Sequence, residues 1–327
     1  MKPDTPIVDL SIAIPSWNTR DLLAQCLESV FRGSDGLSRE VIVVDNASSD
    51  GSGDMVAARY PQVHLIRNRT NVGFAGACNV AYKQSTGRYF MLLNSDTVVL
   101  EDALKSMVEF MDEHPDAGAA GCRLLNGDGS LQRSCSCFPS ALTELFDALY
   151  LSKVFPRSKT FACYPMSYWD FDHVRMVDFA GGSCLIVRRE TISEVGLLDE
   201  GYFMYTEEAD WCYRMWDQGW AVYFYPGAQV IHLGGESAQK YGNGLGLNLY
   251  TSRNRFILKH RGRRAAFMHR MVVALGASLR LPAFALLRLV RAGAADGIAL
   301  QGKVLKWALV GSKSAPSCEG GVPCESG

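Results

Sequence analysis

Apolar residues never run long enough in this sequence to cross a bilayer. The longest candidate, Met271–Leu287, has 17 residues with Arg280 and Pro282 inside it, against about 20 for a spanning helix. The opening residues, MKPDTPIVDL, lack the apolar core of a signal peptide, so the expectation is a cytoplasmic protein. Paired cysteines are missing too. Ten cysteines are scattered without CxxC spacing, which argues against a zinc ribbon or a disulfide framework and leaves them as small buried hydrophobes. Cys135 and Cys137 form a lone CxC, too few ligands for zinc. No GxGxxG follows the first strand, which removes the fingerprint of a nicotinamide-linked oxidoreductase. Asp and Glu vanish between Ser237 and Ala295.

That last absence divides the chain electrically. The net charge is −1 over 327 residues, yet residues 1–236 carry 19 Lys/Arg against 31 Asp/Glu, and residues 237–327 carry 14 against 3. The balances are −12 and +11. An acidic body with a basic tail predicts a tail that meets an anionic surface. Lipid head groups fit better than nucleic acid, because no recognised nucleic-acid-binding module accompanies the charge. The segment 251–264, TSRNRFILKHRGRR, holds six of the basic residues. The interrupted apolar run that follows reads as a helix lying in the interface, arginines toward anionic head groups. A packed C-terminal helical subdomain is the competing reading.

The first half alternates strand and helix signals. Apolar runs at 9–14, 40–44, 63–66 and 89–93 read as strands, and helical spacing recurs between them, with helices expected at 75–84 and 101–113. Strands apolar throughout are buried on both faces, which predicts an α/β fold with a mostly parallel sheet between helices. Ligands in such sheets bind at the carboxyl ends of the strands, and the polar clusters sit there. From about 123 to 178 the pattern weakens into expected long loops lining an acceptor cleft. Strand character returns over 177–187, interrupted by Gly181 and Gly182, where backbone must approach something closely. The Gly/Ser/Pro-rich end, 312–327, has the composition of a disordered segment.

The most informative stretch is 203–214, FMYTEEADWCYR. It places Glu207 and Glu208 at a helix N-terminus, where the backbone partial charge is expected to hold carboxylates ionised. An ionised carboxylate on a sheet rim can take a proton from a hydroxyl. Asp45 ends the second strand in VIVVDNASSDGS; it is either a turn aspartate or an acceptor for the imide N–H of uracil or thymine. Asn94 and Asp96 leave the fourth strand two residues apart in LLNSDT, so both can face one ligand. Asp96 with His232 could hold Mg²⁺ or Mn²⁺ and neutralise a diphosphate leaving group. Glycines 73 and 76 in NVGFAGACN read as the packing of a helix start. A carboxylate base followed by a metal-capable histidine indicates group transfer to an alcohol.

SIAIPSWN, VIVVDNASSDGS, NVGFAGACN, LLNSDT, the GGSCLIVRRE/GLLDE pair and MYTEEADWCYR…GW…IHLGGES occur in this order over residues 8–260. Together they resemble family-2 inverting glycosyltransferases of the GT-A type, in the rhamnosyltransferase-like branch of bacterial polysaccharide biosynthesis. The resemblance implies a nucleotide site of Pro15, Ser16, Asn18, Asp45, Asn71, Gly73 and Asn94. It implies a metal site of Asp96 and His232, with Asn94 replacing the first aspartate of the family's Asp-x-Asp motif. The family's Glu-Asp base motif appears as Glu207-Glu208, which leaves the base open between the two. Gly181, Gly182, Trp211 and Arg214 would meet acceptor or sugar, although Trp211 on a helix is equally a core residue. The implied donor is a dTDP- or UDP-linked sugar, with rhamnose favoured, and the implied acceptor is a lipid-linked saccharide at the inner membrane face. The competing function is a catalytically inactive GT-A scaffold in a membrane-associated assembly. The expected domains are a glycosyltransferase body over 1–260, with nucleotide and acceptor halves meeting near 122, and a basic amphipathic helical tail over 261–311.

Overall fold

Two β-branched runs begin the architecture. LSIAIPS forms β1 (Leu10–Ser16) and REVIVVD forms β2 (Arg39–Asp45), joined by α1 (Arg20–Arg32). They pair in parallel with Ser16 opposite Asp45. The computed structural model describes residues 8–32, 36–234, 244–287 and 294–311; the expected disordered end, 312–327, lies outside them. After β2 come α2 (Ser52–Arg59), β3 (His64–Arg67), α3 (Gly73–Lys83), β4 (Tyr89–Leu93), β5 (Thr97–Val99), α4 (Ala103–Glu113) and β6 (Ala117–Leu125). Then follow the two-residue strands β7 (Leu131–Gln132) and β8 (Cys135–Ser136), and helices α5 (Ala141–Ala148) and α6 (Leu151–Val154). The chain continues through β9 (Arg175–Met176), β10 (Phe179–Ala180), β11 (Cys184–Arg188), α7 (Arg189–Val195), α8 (Glu207–Asp217) and β12 (Ala221–His232). Helices α9 (Gly244–Leu287) and α10 (Ala294–Val310) end the described chain.

The main sheet runs β3-β2-β1-β4-β11-β6-β12-β5. Four of these seven junctions are parallel, β3–β2, β2–β1, β1–β4 and β6–β12, so the expected mostly parallel sheet is present. Its central strands are buried on both faces, and β4 (YFMLL) is buried throughout. Helix α4 shows why the helical spacing was readable: Leu104, Met107, Val108 and Met111 recur on one face and are all buried. The carboxyl ends of β1, β2 and β4 fall along one edge.

The chain divides into two compact units. The first is Met1–Pro139 with Tyr150–Gly242, and the second is Ser140–Leu149 with Asn243–Gly327. Residues 244–260 thus group with the tail, and the loop expected over 123–178 gives up α5 to that same unit. In the second unit Val273, Ala274 and Ala277 of α9 pack on Val304 and Ala308 of α10. Gly276 lets α5 approach, since a Cβ there would lie 3.0 Å from that of Ala148. Helix α9 breaks at Gly262, which has φ 82°. Among the described residues no helix is long and apolar enough to cross a membrane.

Candidate functional site

The floor of the site is the link between β4 and β5, Asn94-Ser95-Asp96. Hydrogen bonds fix it from several sides. The Asn94 N–H donates to the Ser183 carbonyl (3.0 Å), the Leu233 N–H donates to the Asp96 carbonyl (2.9 Å), and Thr97 Oγ1 donates to the Asn94 carbonyl (2.7 Å). Ser95 Oγ meets Thr19 Oγ1 at 2.9 Å, and Thr19 meets Ser16 Oγ at 3.0 Å. A loop held this way presents its side chains with little freedom left to lose on binding.

β12 pairs antiparallel with β5, His232 opposite Thr97, which closes a 135-residue separation. His232 Nε2 lies 3.3 Å from Asp96 Oδ1 and 3.3 Å from Asn94 Nδ2. On the other side of the ring, Nδ1 is 2.6 Å from Gln132 Oε1. The Gln132 amide is oriented by donating from Nε2 to Asn126 Oδ1 (2.8 Å) and to the His232 carbonyl (3.1 Å). Its oxygen therefore accepts the Nδ1 proton, and in the neutral ring Nε2 carries the lone pair. Two electron-rich groups, that lone pair and the Asp96 carboxylate, face each other at the cleft. A divalent cation between them fits this donor set. No group of three or more His, Cys, Asp or Glu ligands gathers among the described residues, which offer two ligands here.

The opposite wall is the start of α8. Tyr205 and Thr206 both adopt left-handed backbone, φ 72° and 73°. For a β-branched threonine this is an outlier, and such strain gathers at functional sites. It turns Glu207 and Glu208 into the cleft. Glu207 is 5% exposed, and its Oε2 has no hydrogen-bond partner among the described residues. Burial, then the neighbouring Glu208, pushes its carboxyl well above the usual range. Glu208 keeps partial contact with solvent, and burial raises it to about 7 against backbone hydrogen bonds that lower it. The helix N-terminus therefore does not hold both glutamates ionised: desolvation outweighs the helix dipole, whose effect is modest.

The third wall is the start of α3. Gly73 has φ +79°, and a Cβ there would come 2.5 Å from the Phe203 carbonyl. That carbonyl accepts the Phe74 N–H at 2.9 Å, and Asn71 Oδ1 accepts the Gly73 N–H at 2.9 Å. Gly182 also stands close: its Cβ would lie 3.4 Å from the Phe74 ring and 3.9 Å from Glu208 Cβ. These walls enclose about 220 Å³ of open space, reached by Pro15, Ser16 and Trp17 from the end of β1.

The profile of glycosyl transferase family 2 matches residues 11–167. That segment is a glycosyl transferase family 2 domain. An N-acetylglucosaminyl-diphospho-decaprenol L-rhamnosyltransferase of Mycobacterium tuberculosis is 30% identical over 203 residues, which are 59% of this chain and 66% of that relative. The chain thus matches just under two thirds of the relative's length. Succinoglycan biosynthesis protein ExoO of Rhizobium meliloti is 34% identical over 107 residues, 32% of this chain and 30% of its own. Among solved structures, a mannosyltransferase of Pyrobaculum calidifontis in complex with GDP-Man and Mn²⁺ superposes with a TM-score of 0.56 at 16% identity, covering 94% of this chain and 87% of that one. GalNAc-T7 with UDP, GalNAc and Mn²⁺ gives 0.57 at 15% identity, covering 94% and 56%. These likenesses identify the fold as GT-A.

Of the residues expected from this family, Pro15, Ser16, Asn71, Gly73, Asn94, Asp96, Gly182, Glu207, Glu208 and His232 line one cleft. Five expected residues are placed elsewhere. Asn18, at φ 54°, accepts the Ser49 N–H at 2.8 Å and so ties two loops together. Asp45 is buried and caps its own turn by accepting the Ser48 N–H at 3.0 Å; the next residue, Asn46, lines the cleft instead. The Gly181 N–H donates to the Ser134 carbonyl at 2.7 Å. Trp211 is a core residue, 1% exposed, its indole donating to the Gly196 carbonyl at 2.8 Å. Arg214 also lies outside the cleft lining. It pairs with Asp210 at 3.0 Å and donates to the Val195 and Leu197 carbonyls, clamping the turn before α8. Sequence reasoning missed Trp17, Phe74, Ser183, Tyr205 and Gln132. Trp17 and Phe74 stood inside quoted motifs; an aromatic at a strand end or a helix start was the available signal.

Proposed function

We propose that the protein is an inverting glycosyltransferase, moving a sugar from a nucleotide diphosphate to a hydroxyl of a lipid-linked saccharide. The observation that carries this reading is one cleft holding Glu208, raised to about 7, together with the Asp96–His232 pair. A base raised toward the working pH combines a usable fraction of its ionised form with real proton affinity. The similarity to a rhamnosyltransferase named for a decaprenol-diphosphate acceptor supports rhamnose as the sugar and a polyprenyl-linked acceptor. A dTDP-linked donor is the first choice and a UDP-linked donor the second.

Asp96 and His232 would hold Mg²⁺ or Mn²⁺, as the Mn²⁺-bound structural neighbours support, with donor phosphates completing its coordination. When bound, the ion supplies charge neutralisation for the departing diphosphate. Asn94 would hold the donor beside them. Glu208 removes the acceptor hydroxyl proton, and that oxygen bonds to the anomeric carbon on the face opposite the diphosphate. The carbon–phosphate-oxygen bond breaks, and the nucleoside diphosphate leaves with the electron pair. Glu207 stays protonated beside Glu208, since two adjacent buried carboxyls resist double ionisation. Positioning in a water-poor cleft contributes much of the acceleration. The protein works peripherally at the inner membrane face, where a cytoplasmic donor and a lipid acceptor meet.

The test is transfer from dTDP-rhamnose, then UDP-sugars, to a polyprenyl-diphosphate-linked N-acetylglucosamine with Mn²⁺. Nuclear magnetic resonance of the product should give an anomeric configuration opposite to the donor's. Retention, or donor binding without transfer to any such acceptor, rejects the reading.

A further inference from the structure

The second unit carries a helix face that the chemistry of the cleft does not use. From Ala265 to Leu286 no exposed side chain of α9 is charged. Met268, Leu275, Leu279 and Leu286, spaced seven, four and seven apart on one side of the helix, are 56, 45, 50 and 69% exposed. Phe267 beside them is 56% exposed. The two arginines within this stretch point away from the stripe. Arg280 is held by Tyr250 Oη and Asp147, both at 3.0 Å, and Arg270 donates to the Ala308 carbonyl at 2.9 Å. That contact brings the end of α10 alongside, where Leu309 and Val310 are 60 and 76% exposed. At the same end, where Gly262 breaks α9, Arg261, Arg263 and Arg264 are all exposed.

We infer that this stripe, with its arginine corner, is a docking surface for an anionic lipid bilayer, lying in the interface with the corner toward the head groups. An apolar helix face this long favours burial, and lipid chains provide it without requiring a span. The charge selects the occupant. A second copy could cover the stripe, but the segment from 237 to 295 has no acid to set against the arginines, whereas anionic head groups complement them. Given the lipid-linked acceptor proposed for the cleft, this surface would bring the enzyme to the plane of its substrate. Arg280, expected from sequence to face head groups, is instead internal to the unit.

The experiment is sedimentation of the full chain with vesicles of phosphatidylcholine, alone or with about one-third phosphatidylglycerol, without donor or acceptor. Binding to the mixed vesicles should exceed binding to the neutral ones by about tenfold or more, the scale of several basic contacts. R261S/R263S/R264S should remove that charge preference, and raised salt should mimic it, because screening acts within about 8 Å at physiological salt. L275E/L279E, at exposed positions and with an unchanged circular dichroism spectrum as the control for folding, should lower binding at every salt concentration. Equal binding to both vesicle types, no binding, or wild-type binding by both variants overturns the inference. So does light scattering that finds a dimer which L275E/L279E converts to monomer. Transfer assayed in detergent does not depend on this surface, so its failure would count against the cleft and not against the lipid site.

Discussion

Two glutamates are buried almost equally in the two units, and their surroundings differ. Glu144 of the second unit is 3% exposed; Arg253 lies 2.9 Å away and His269 Nε2 lies 3.6 Å away. Burial alone would raise its carboxyl, but the neighbouring His269 ring and the Arg253 charge outweigh it and bring the pKa below the ordinary value. Glu207 of the first unit is 5% exposed with an orphaned oxygen, a second carboxyl beside it and, among the described residues, no cation paired with it, and its pKa rises. A carboxylate that supports a fold is given its countercharge. One left without it at a strained helix start marks a site where protons or ligands are exchanged.

This contrast can be broken by mutation. The largest effect belongs to the paired glutamate. Glu144→Ala should destabilise the protein by about 3 to 5 kcal/mol, the range for leaving a buried partner charge uncompensated; denaturant unfolding measures it, and a loss below about 1 kcal/mol would make the pair incidental. Asp96→Ala should weaken Mn²⁺-dependent donor binding by about 100-fold while the fold survives. Gln132→Ala should cost about tenfold, the lower range for a residue that orients a metal-binding histidine. Calorimetry of the nucleoside diphosphate with and without Mn²⁺ reads both, and wild-type affinity in Asp96→Ala would remove the metal assignment.

The smallest effect sharpens the comparison through pH. Glu207 has a raised folded pKa, so its stability contribution is complete below the unfolded carboxyl value near 4.5 and is lost as pH rises. Glu144 has a lowered one, so its contribution is present above that value and is lost as pH falls. Glu207→Gln, which has no proton to lose, should therefore stabilise the protein at pH 8 by roughly 1 kcal/mol, the scale of one pKa unit. It should also flatten the decline of melting temperature above neutrality. Destabilisation at pH 8 would mean that Glu207 has a partner there.

Much of the sheet was readable because its strands bury both faces and so run apolar from end to end, as β4 does. The nearness of Asp96 and His232 was expected from the family resemblance, and the fold supplies it because Asp96 directly precedes β5 and His232 ends β12, which pairs with β5. Trp211 and Arg214 misled for a physical reason: spacing puts them on the helix that carries Glu207 and Glu208, but only the fold shows that their face meets the 195–197 turn. Gln132 was invisible because it sits 100 residues from His232 in a two-residue strand without periodicity. The ionisation of the glutamates went unread because helix position is local, while desolvation depends on what packs around them. Helix α5 could not be assigned to the second unit from its own residues.

The central claim is that Glu208 is the base in a glycosyl transfer, with Glu207 its protonated neighbour. Transfer rates of Glu208→Gln and Glu207→Gln, measured beside their donor affinities, test it most directly. Glu208→Gln should bind donor as the wild type does and transfer at least about 100-fold more slowly, while Glu207→Gln loses much less and the wild-type rate rises with pH through about 7. Equal, small losses in both variants would contradict the account.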